Sequence, residues 1–531
     1  MKSIFYFISS ILFLSGCSKE STGFEKIYLL EDGSESSGSN SGIKIYYENP
    51  WYWEYNGKPI MLIGGSYEDN MYQFPNWYYG HSNPNLSLGM TNWTLEEHLD
   101  KMVEVGANYI RASMSCRNHG NRFPYKKITG TPGDNHNHTD IYDLDQWDEV
   151  WEQRLSTFLQ MCYERGIIVS IEFFDRWDMM QPGSAHWDAY NRGILNTGWE
   201  HHPWNPDRNI NYTEAESGVD PTHRTNTWSH SFWYCVPYLD NDPQQPAQMK
   251  GGGIFLDYLH AYVDKILSYS FQYDNIIYII ENETYDPLPF GSYWVDYIKQ
   301  KGIAAGKEIY VSNMVGNPEP DHERQQEVRR GAKYQFFDYS QNTHNTGQDH
   351  YDNIITARND IANPGTETPI KPINNVKLYG ATQFGTVTDA KERFWRGIFA
   401  GLASVRFHRP NYNGYIHGLG LNEDAQTQIR SVTMLQEEMN IFSCEPDNSL
   451  LGNRSDNEAY CLTEAGKQYA VYFTHGGSVT LDMSGASGRF FMRWLKIDES
   501  KWGTTTTIEG GGSQTLTAPS SGQWAVLITK Q

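Results

Sequence analysis

Long hydrophobic runs are lacking: the mostly apolar stretch Ile4 to Leu14 is too short to span a membrane as a mature helix. Cysteine is scarce, 6 among 531 residues with no C-x-x-C pair, so neither a cysteine zinc site nor a full disulfide framework is indicated. Basic charge is also short. With 42 Lys and Arg against 64 Asp and Glu, the net charge is -22, which argues against binding nucleic acid or other polyanions by simple electrostatics. No sequence feature calls for a cofactor, and His201-His202 has no helical or hairpin spacing that would complete a metal ligand set.

What is present begins with an address. Lys2 supplies a short positive region, Ile4 to Leu14 is mostly apolar, and Leu14-Ser15-Gly16-Cys17 closes the run with small residues before a cysteine. That ending resembles the bacterial lipoprotein lipobox, which implies a signal segment over 1–17, a lipid on Cys17, and attachment to the cell envelope at the outer-membrane surface or in the periplasm. Residues 18–43 include Gly33-Ser34-Glu35-Ser36-Ser37-Gly38-Ser39-Asn40-Ser41-Gly42, too polar to bury a core, and read as a flexible tether. With Cys17 set aside, five cysteines remain; Cys444 and Cys461 could pair in an oxidising compartment or lie in the core as thiols.

From residue 44 short apolar strands alternate with amphipathic helical stretches, the pattern of a parallel sheet with crossover helices. The strands are Pro59 to Gly64, Ala107 to Arg111, Ile167 to Glu172, Asn275 to Glu283, Glu308 to Val311, Tyr334 to Asp338, Val376 to Thr382 and Ala403 to Phe407. Helices are expected after the capping box Thr94-Leu95-Glu96-Glu97, from Leu144 to Arg165 with Gly166 as stop, from Phe255 to Ser270, and near 350–362, 389–402 and 423–441. Eight such units predict a (β/α)8 TIM barrel over 44–442, although an open doubly wound sheet gives a similar string. After Cys444 the helical period stops, and short alternating runs such as Ala470 to Phe473, Val479 to Met483, Arg489 to Trp494 and Trp524 to Ile528 predict a small antiparallel β-sandwich over 443–531.

In a barrel the reactive groups stand at the C-terminal ends of the strands. Strand four runs out in Asn282-Glu283, an amide and a carboxylate where a buried strand meets solvent. Asp338 ends strand six, and Glu172, Asp175, Glu68 and Asp69 follow strands three and one. Arg111, Ser113, Asn118, His119, Asn313, His344, Arg406, His408 and Arg409 are the other polar strand-end residues, and the arginines among them would suit an acidic or sulfated ligand by charge-assisted hydrogen bonds. The long connection from about 175 to 250 carries Trp177, Trp187, Trp199, His201, His202, Trp204, His223, Trp228, His230 and Trp233, and is expected to fold as a wall over the cleft. Aromatic residues make up 14% of the chain, and their flat apolar faces suit the C–H faces of sugar rings.

Arg111 at strand two, Asn282-Glu283 at strand four and a strand-seven ending where a carboxylate is expected together resemble the cellulase-like clan of (β/α)8 glycoside hydrolases. More narrowly, Tyr55-Asn56-Gly57-Lys58-Pro59, the run from Arg393 to Ser404, and the segment from Gly452-Asn453 to Trp524 resemble Bacteroidetes lipoproteins in which such a barrel precedes a sandwich named for collagen binding. The resemblance implies a carbohydrate substrate, Glu283 as general acid/base and Asn282 on a sugar hydroxyl; burial at the barrel mouth is expected to raise the Glu283 pKa, and the strand-end and loop residues Arg111, Trp177, Trp228, His230, His344 and His408 are expected around the substrate.

It breaks at Gln383, in Gln383-Phe384-Gly385, where the clan commonly has a nucleophilic Glu; an amide can hold a sugar but is a very poor nucleophile. Three readings follow. Another carboxylate acts, with Asp338 the leading choice, and a gap of about 6.5–9.5 Å to Glu283 would admit the water of an inverting mechanism. The substrate supplies its own nucleophile and Gln383 positions it. Or the chain binds glycan without cutting it.

Overall fold

The structure is a computed structural model describing residues 42–73, 93–116, 121–130, 139–179, 198–222, 235–243, 245–316, 322–342, 345–363, 368–380, 385–410 and 418–531. Cys17, Gln383, Trp228, His230, His344, Asn118 and His119 lie outside the described residues.

Eight parallel strands form the central sheet: β1 (Leu62–Gly65), β2 (Tyr109–Ser113), β3 (Ile168–Asp175), β4 (Ile276–Asn282), β5 (Val311–Ser312), β6 (Phe337–Asp338), β7 (Ile373–Leu378) and β8 (Ser404–Phe407). Their order in space is β5-β4-β3-β2-β1-β8-β7-β6, which is the order of a closed ring. The seam between β5 and β6 is joined by Gln335 N donating to Val311 O at 3.1 Å and Ser312 Oγ donating to Phe336 O at 2.6 Å. Each strand is followed by a helix: α1 (Leu95–Val105), α2 (Glu149–Glu164), α3 (Gly253–Ser270), α4 (Leu288–Ala304), α5 (Glu323–Arg330), α6 (Gly347–Ile361), α7 (Val387–Phe399) and α8 (Glu423–Glu438). The chain is a (β/α)8 barrel.

Local chemistry sets these boundaries. Thr94 Oγ1 accepts from Glu97 N at 3.1 Å while the Glu97 carboxylate accepts from Thr94 N at 2.8 Å, so the capping box opens α1. The helix expected from Leu144 begins later. Asp148 caps α2 by accepting from Trp151 N at 2.8 Å, and Ile141–Trp147 instead pairs with Tyr125–Thr129 as an antiparallel hairpin. Helix α4 escaped the sequence reading because Gly291 and Gly302 blur its period; Gly302 lies against Ile309, where a Cβ would meet the side chain at 2.8 Å. Before the barrel, Ile43–Ile45, Trp53–Tyr55 and Lys58–Ile60 form an antiparallel sheet that plugs its N-terminal end. Trp53 is fully buried there, edge-on to Tyr310 and Phe336, with its indole N–H donating to Asn374 at 2.9 Å.

The C-terminal region is an antiparallel sandwich with β9 (Ala459–Glu464), β10 (Gln468–Phe473), β11 (Ser478–Asp482), β12 (Arg489–Lys496), β13 (Thr506–Glu509), β14 (Ser513–Thr517) and β15 (Trp524–Lys530). Its main sheet runs β9-β10-β15-β12. Because side chains alternate along a strand, one face of that sheet, including Val471, Phe473, Phe490 and Val526, packs against β11 and β14. The opposite face, including Tyr460, Leu462, Tyr472 and Leu527, continues the hydrophobic core of the barrel, with Tyr472 stacked 5.6 Å from Trp395 of α7. Cys444 and Cys461 are both free, buried thiols, as are Cys116, Cys162 and Cys235.

The end of β1 needs two glycines. A Cβ on Gly64 would sit 1.9 Å from Tyr109 O of β2, and one on Gly65 would sit 2.1 Å from Gly420 O. Gly64→Ala is therefore expected to force β1 and β2 apart and to cost at least about 2 kcal/mol in urea denaturation, the scale of overpacking a rigid core. An unchanged midpoint would contradict that close approach.

Candidate active site

The C-terminal ends of β1 to β4, β7 and β8 converge on a cluster of opposite charges in which most side chains are buried. At its base lies Arg111, from β2, with no exposed surface. Its guanidinium donates to Glu172 Oε1 at 2.6 Å and to Asn282 Oδ1 at 2.8 Å, and pairs with Asp69 Oδ2 at 2.6 Å. Asp69 is also met by Arg409 Nε at 2.6 Å, Arg406 at 3.4 Å and the His408 ring at 3.7 Å. Burial alone would raise the Asp69 pKa, but these surrounding cations hold its carboxyl well below the usual carboxylate range.

Above this layer stands Glu283, just past the end of β4, with a backbone φ of 56°. A left-handed conformation is uncommon for a residue with a Cβ and persists only where the surroundings enforce it. Here the next residue is pinned to the chain after β5, with Thr284 N donating to Met314 O at 2.7 Å and Gly316 N donating to Thr284 O at 3.0 Å. Gly316 packs so closely that a Cβ would lie 2.1 Å from the Tyr285 ring and 2.7 Å from Glu283 O.

Four donors converge on the Glu283 carboxylate. Oε1 accepts from Lys377 Nζ at 2.7 Å and Gln341 Nε2 at 3.1 Å; Oε2 accepts from Arg176 at 3.1 Å and from the Trp177 indole N–H at 3.1 Å. Arg176 is itself held over the faces of Trp177, at 4.2 Å, and Tyr285, at 4.6 Å. Burial would push the Glu283 pKa up, yet Lys377 and Arg176 outweigh it and hold the carboxyl well below its ordinary value. The sequence expectation of a raised pKa is thus reversed: Glu283 rests as an anion. Lys377 is fully buried, and burial draws its own pKa below the ordinary lysine value against the pull of Glu283.

The remaining sequence candidates divide. Asn282 belongs to the cluster, but its amide is engaged by the protein on both sides: Oδ1 faces Arg111 and Lys377, and Nδ2 donates to Asp175 Oδ1 at 2.9 Å. Its oxygen is thus taken up by two cations and one of its two N–H donors by Asp175. Arg111 and Arg406 are likewise fully buried against Asp69, Glu172, Ser66 and backbone, so they balance internal carboxylates rather than await an acidic ligand. His408 joins the cluster through Asp69 and an edge-on contact with Tyr379 at 4.8 Å.

Asp338 is not brought to the open mouth. It is 3% exposed, its Oδ1 accepts from Ser340 N at 2.9 Å, and its Oδ2 is buried without a hydrogen-bond partner; burial raises its pKa to about 6. Glu172 and Asp69 are buried with Arg111, and Asp175 is occupied by Asn282 and by Trp177 N at 3.0 Å. The Glu283 side chain, by contrast, keeps 14% of its surface exposed. Trp199 and Trp204, expected on the cleft wall, point into that wall instead: Trp199 donates to Asp220 O at 3.0 Å and Trp204 to Tyr125 OH at 2.7 Å. His202 accepts from Trp204 N at 3.2 Å within the same folded segment.

Sequence reasoning missed Lys377, Arg176, Gln341 and Tyr379. For Lys377 a signal existed, since a lysine between Val376 and Leu378 in a wholly buried strand needs a buried anion.

Solved structures share this architecture. One described as a glycoside hydrolase superposes with a TM-score of 0.57 at 12% identity, covering 93% of this chain and 98% of its own. A glycoside hydrolase family 5 protein from Bacteroides vulgatus gives 0.55 at 13% identity, covering 94% and 96%. At such identities the likeness is one of fold. No family model and no curated protein matches the sequence.

The burial of Asp338 yields a test with a definite sign. A carboxyl whose folded pKa is raised to about 6 favours the folded state below its unfolded value of 3.8, and that contribution is lost as pH rises through 6. Asp338→Asn cannot titrate. Its stability relative to wild type is expected to improve by about 2 kcal/mol between pH 4 and pH 7.5 in urea denaturation. A difference that stays flat with pH would mean that the carboxyl is not held in this buried state.

Proposed function

We propose that this chain is a glycoside hydrolase acting on a polysaccharide or oligosaccharide, with Glu283 as its reacting carboxylate. The observation that carries the reading is Glu283 itself: at the reactive end of a barrel strand, in an enforced left-handed conformation, partly exposed above a charged layer in which the neighbouring carboxylates are buried and paired. Because it rests ionised, Glu283 is prepared to accept a proton from water or a hydroxyl, or to attack an electrophilic carbon; to act as an acid it must first part from Lys377 and Arg176 and take up a proton. Attachment to the cell envelope through Cys17 is part of the same proposal and rests on the lipobox-like Leu14-Ser15-Gly16-Cys17.

A second reading has its own support. Among the described residues of the cluster, no other carboxylate combines exposure with a place beside Glu283, and the strand-seven position carries Gln383 rather than Glu. That pattern favours a barrel that holds glycan without cleaving it, anchored where other enzymes cut.

Reducing-end release from a panel of neutral and acidic glycans, compared across wild type, Glu283→Gln and Gln383→Glu, separates the two. The hydrolase reading expects wild-type turnover, a fall of at least about 10³-fold in kcat/KM for Glu283→Gln, and an acid limb below pH 4.5 set by the depressed Glu283 pKa. Activity that instead grows on acidification would assign Glu283 the acid role. Undiminished activity in Glu283→Gln would remove it from the reaction, and turnover confined to Gln383→Glu would make the natural chain a binder.

A further inference from the structure

Where the sandwich meets the barrel, the sheet face that packs on the barrel outruns its cover. Helix α8 ends at Glu438, and beyond it the same face of β12 and β15 lies open. In register there, Phe491 stands opposite Thr529 and Arg493 opposite Leu527. Together with Glu438 and Thr505 these residues line a cavity of about 320 Å³, within the ~300–1,000 Å³ typical of small-ligand sites. It belongs to neither the Glu283 cluster nor the interior of the sandwich.

The lining narrows the occupant. Phe491 is 45% exposed, offering an aromatic face. Arg493 pairs with Glu438 at 3.2 Å and lies over the Trp502 ring at 4.8 Å, which fixes the guanidinium, while its Nε is buried with no hydrogen-bond partner. Two threonine hydroxyls complete the lining. A purely apolar side chain would leave the charged pair and the hydroxyls unsatisfied, an anion would meet Glu438, and a cation would meet Arg493. A neutral, hydroxyl-rich ring satisfies all of them, placing its C–H face on Phe491 and its hydroxyls on the guanidinium, carboxylate and threonines.

We propose that this cavity is a second glycan-binding site, taking a neutral stretch of polysaccharide and holding the chain of which the barrel processes another part. The carbohydrate class rests on the hydrolase reading, but the site stands on residues remote from Glu283.

Binding of neutral β-glucan, mannan, xylan and arabinan polymers is measured by isothermal titration on the full chain carrying Glu283→Gln, alone and with Phe491→Ala or Phe491→Tyr added. Thermal melts verify that each variant is folded. For at least one polymer, Phe491→Ala is expected to weaken affinity by about 10-fold or more and Phe491→Tyr to retain it. With Glu283 intact, Phe491→Ala is expected to turn over a short soluble oligosaccharide within about 2-fold of wild type. No binding to any polymer, or equal affinity with and without the Phe491 ring, overturns the proposal. Binding that depends on Phe491 in a chain with no turnover would leave this site standing while the hydrolase reading falls; turnover with binding indifferent to Phe491 would do the reverse.

Discussion

The bidentate bond between Arg111 and Glu172 is the interaction on which the rest of the site is built. Both side chains are wholly buried, and a buried charge left alone costs several kcal/mol, so each fixes the other and both recruit further partners. Through Asp69 the pair ties the end of β1, Arg406 of β8 and Arg409 beyond it to the cluster; through Asn282 it ties β4. Five strand ends are thereby held together. Glu283 follows Asn282 in the chain, so the position of the exposed carboxylate is inherited from the buried layer beneath it.

A second constraint is the backbone at Glu283. A residue leaving a strand in a regular extended conformation would send its successor along the strand direction; a positive φ turns it, and the hydrogen bonds at Thr284 lock the turn against the chain after β5. Lys377, Arg176, Trp177 and Gln341 then converge from three other strand ends on a carboxylate that cannot swing away. Such convergence is a form of preorganisation, but it is aimed at an anion on the protein. Substrate must therefore compete with four donors that are already satisfied.

The fold was largely legible in the sequence because it rests on period and punctuation. All eight strand runs lie at or within a few residues of the observed strands, and Thr94 to Glu97 marked a helix start that the hydrogen bonds reproduce. What escaped was set by tertiary context: the hairpin strand Ile141–Trp147 has a helical neighbour and a pattern close to its own, and α4 carries two glycines kept for packing. At the site, Asn282, Glu283 and Arg111 stood out because polar residues ending apolar strands are conspicuous. Their roles were not legible. Whether burial or a neighbouring cation governs a carboxyl depends on distances of a few ångströms between residues 94 and 107 positions apart, Lys377 and Arg176 from Glu283, and no local pattern encodes those distances.

The placement of Lys377 against Glu283 bears on the chemistry. Cleaving a glycosidic bond passes through an oxocarbenium-like, positively charged transition state, which an anionic site stabilises and a cationic one opposes. Glu283 with a free carboxylate and a second carboxylate on β7 would supply that field. Here the single anion of Glu283 faces two cations, Lys377 and Arg176. At rest the negative charge of Glu283 is therefore spent on its own partners. On the hydrolase reading, bound substrate has to part Lys377 or Arg176 from Glu283 to restore the negative field; on the binding reading, a ligand that leaves both bonds intact is held but not cut.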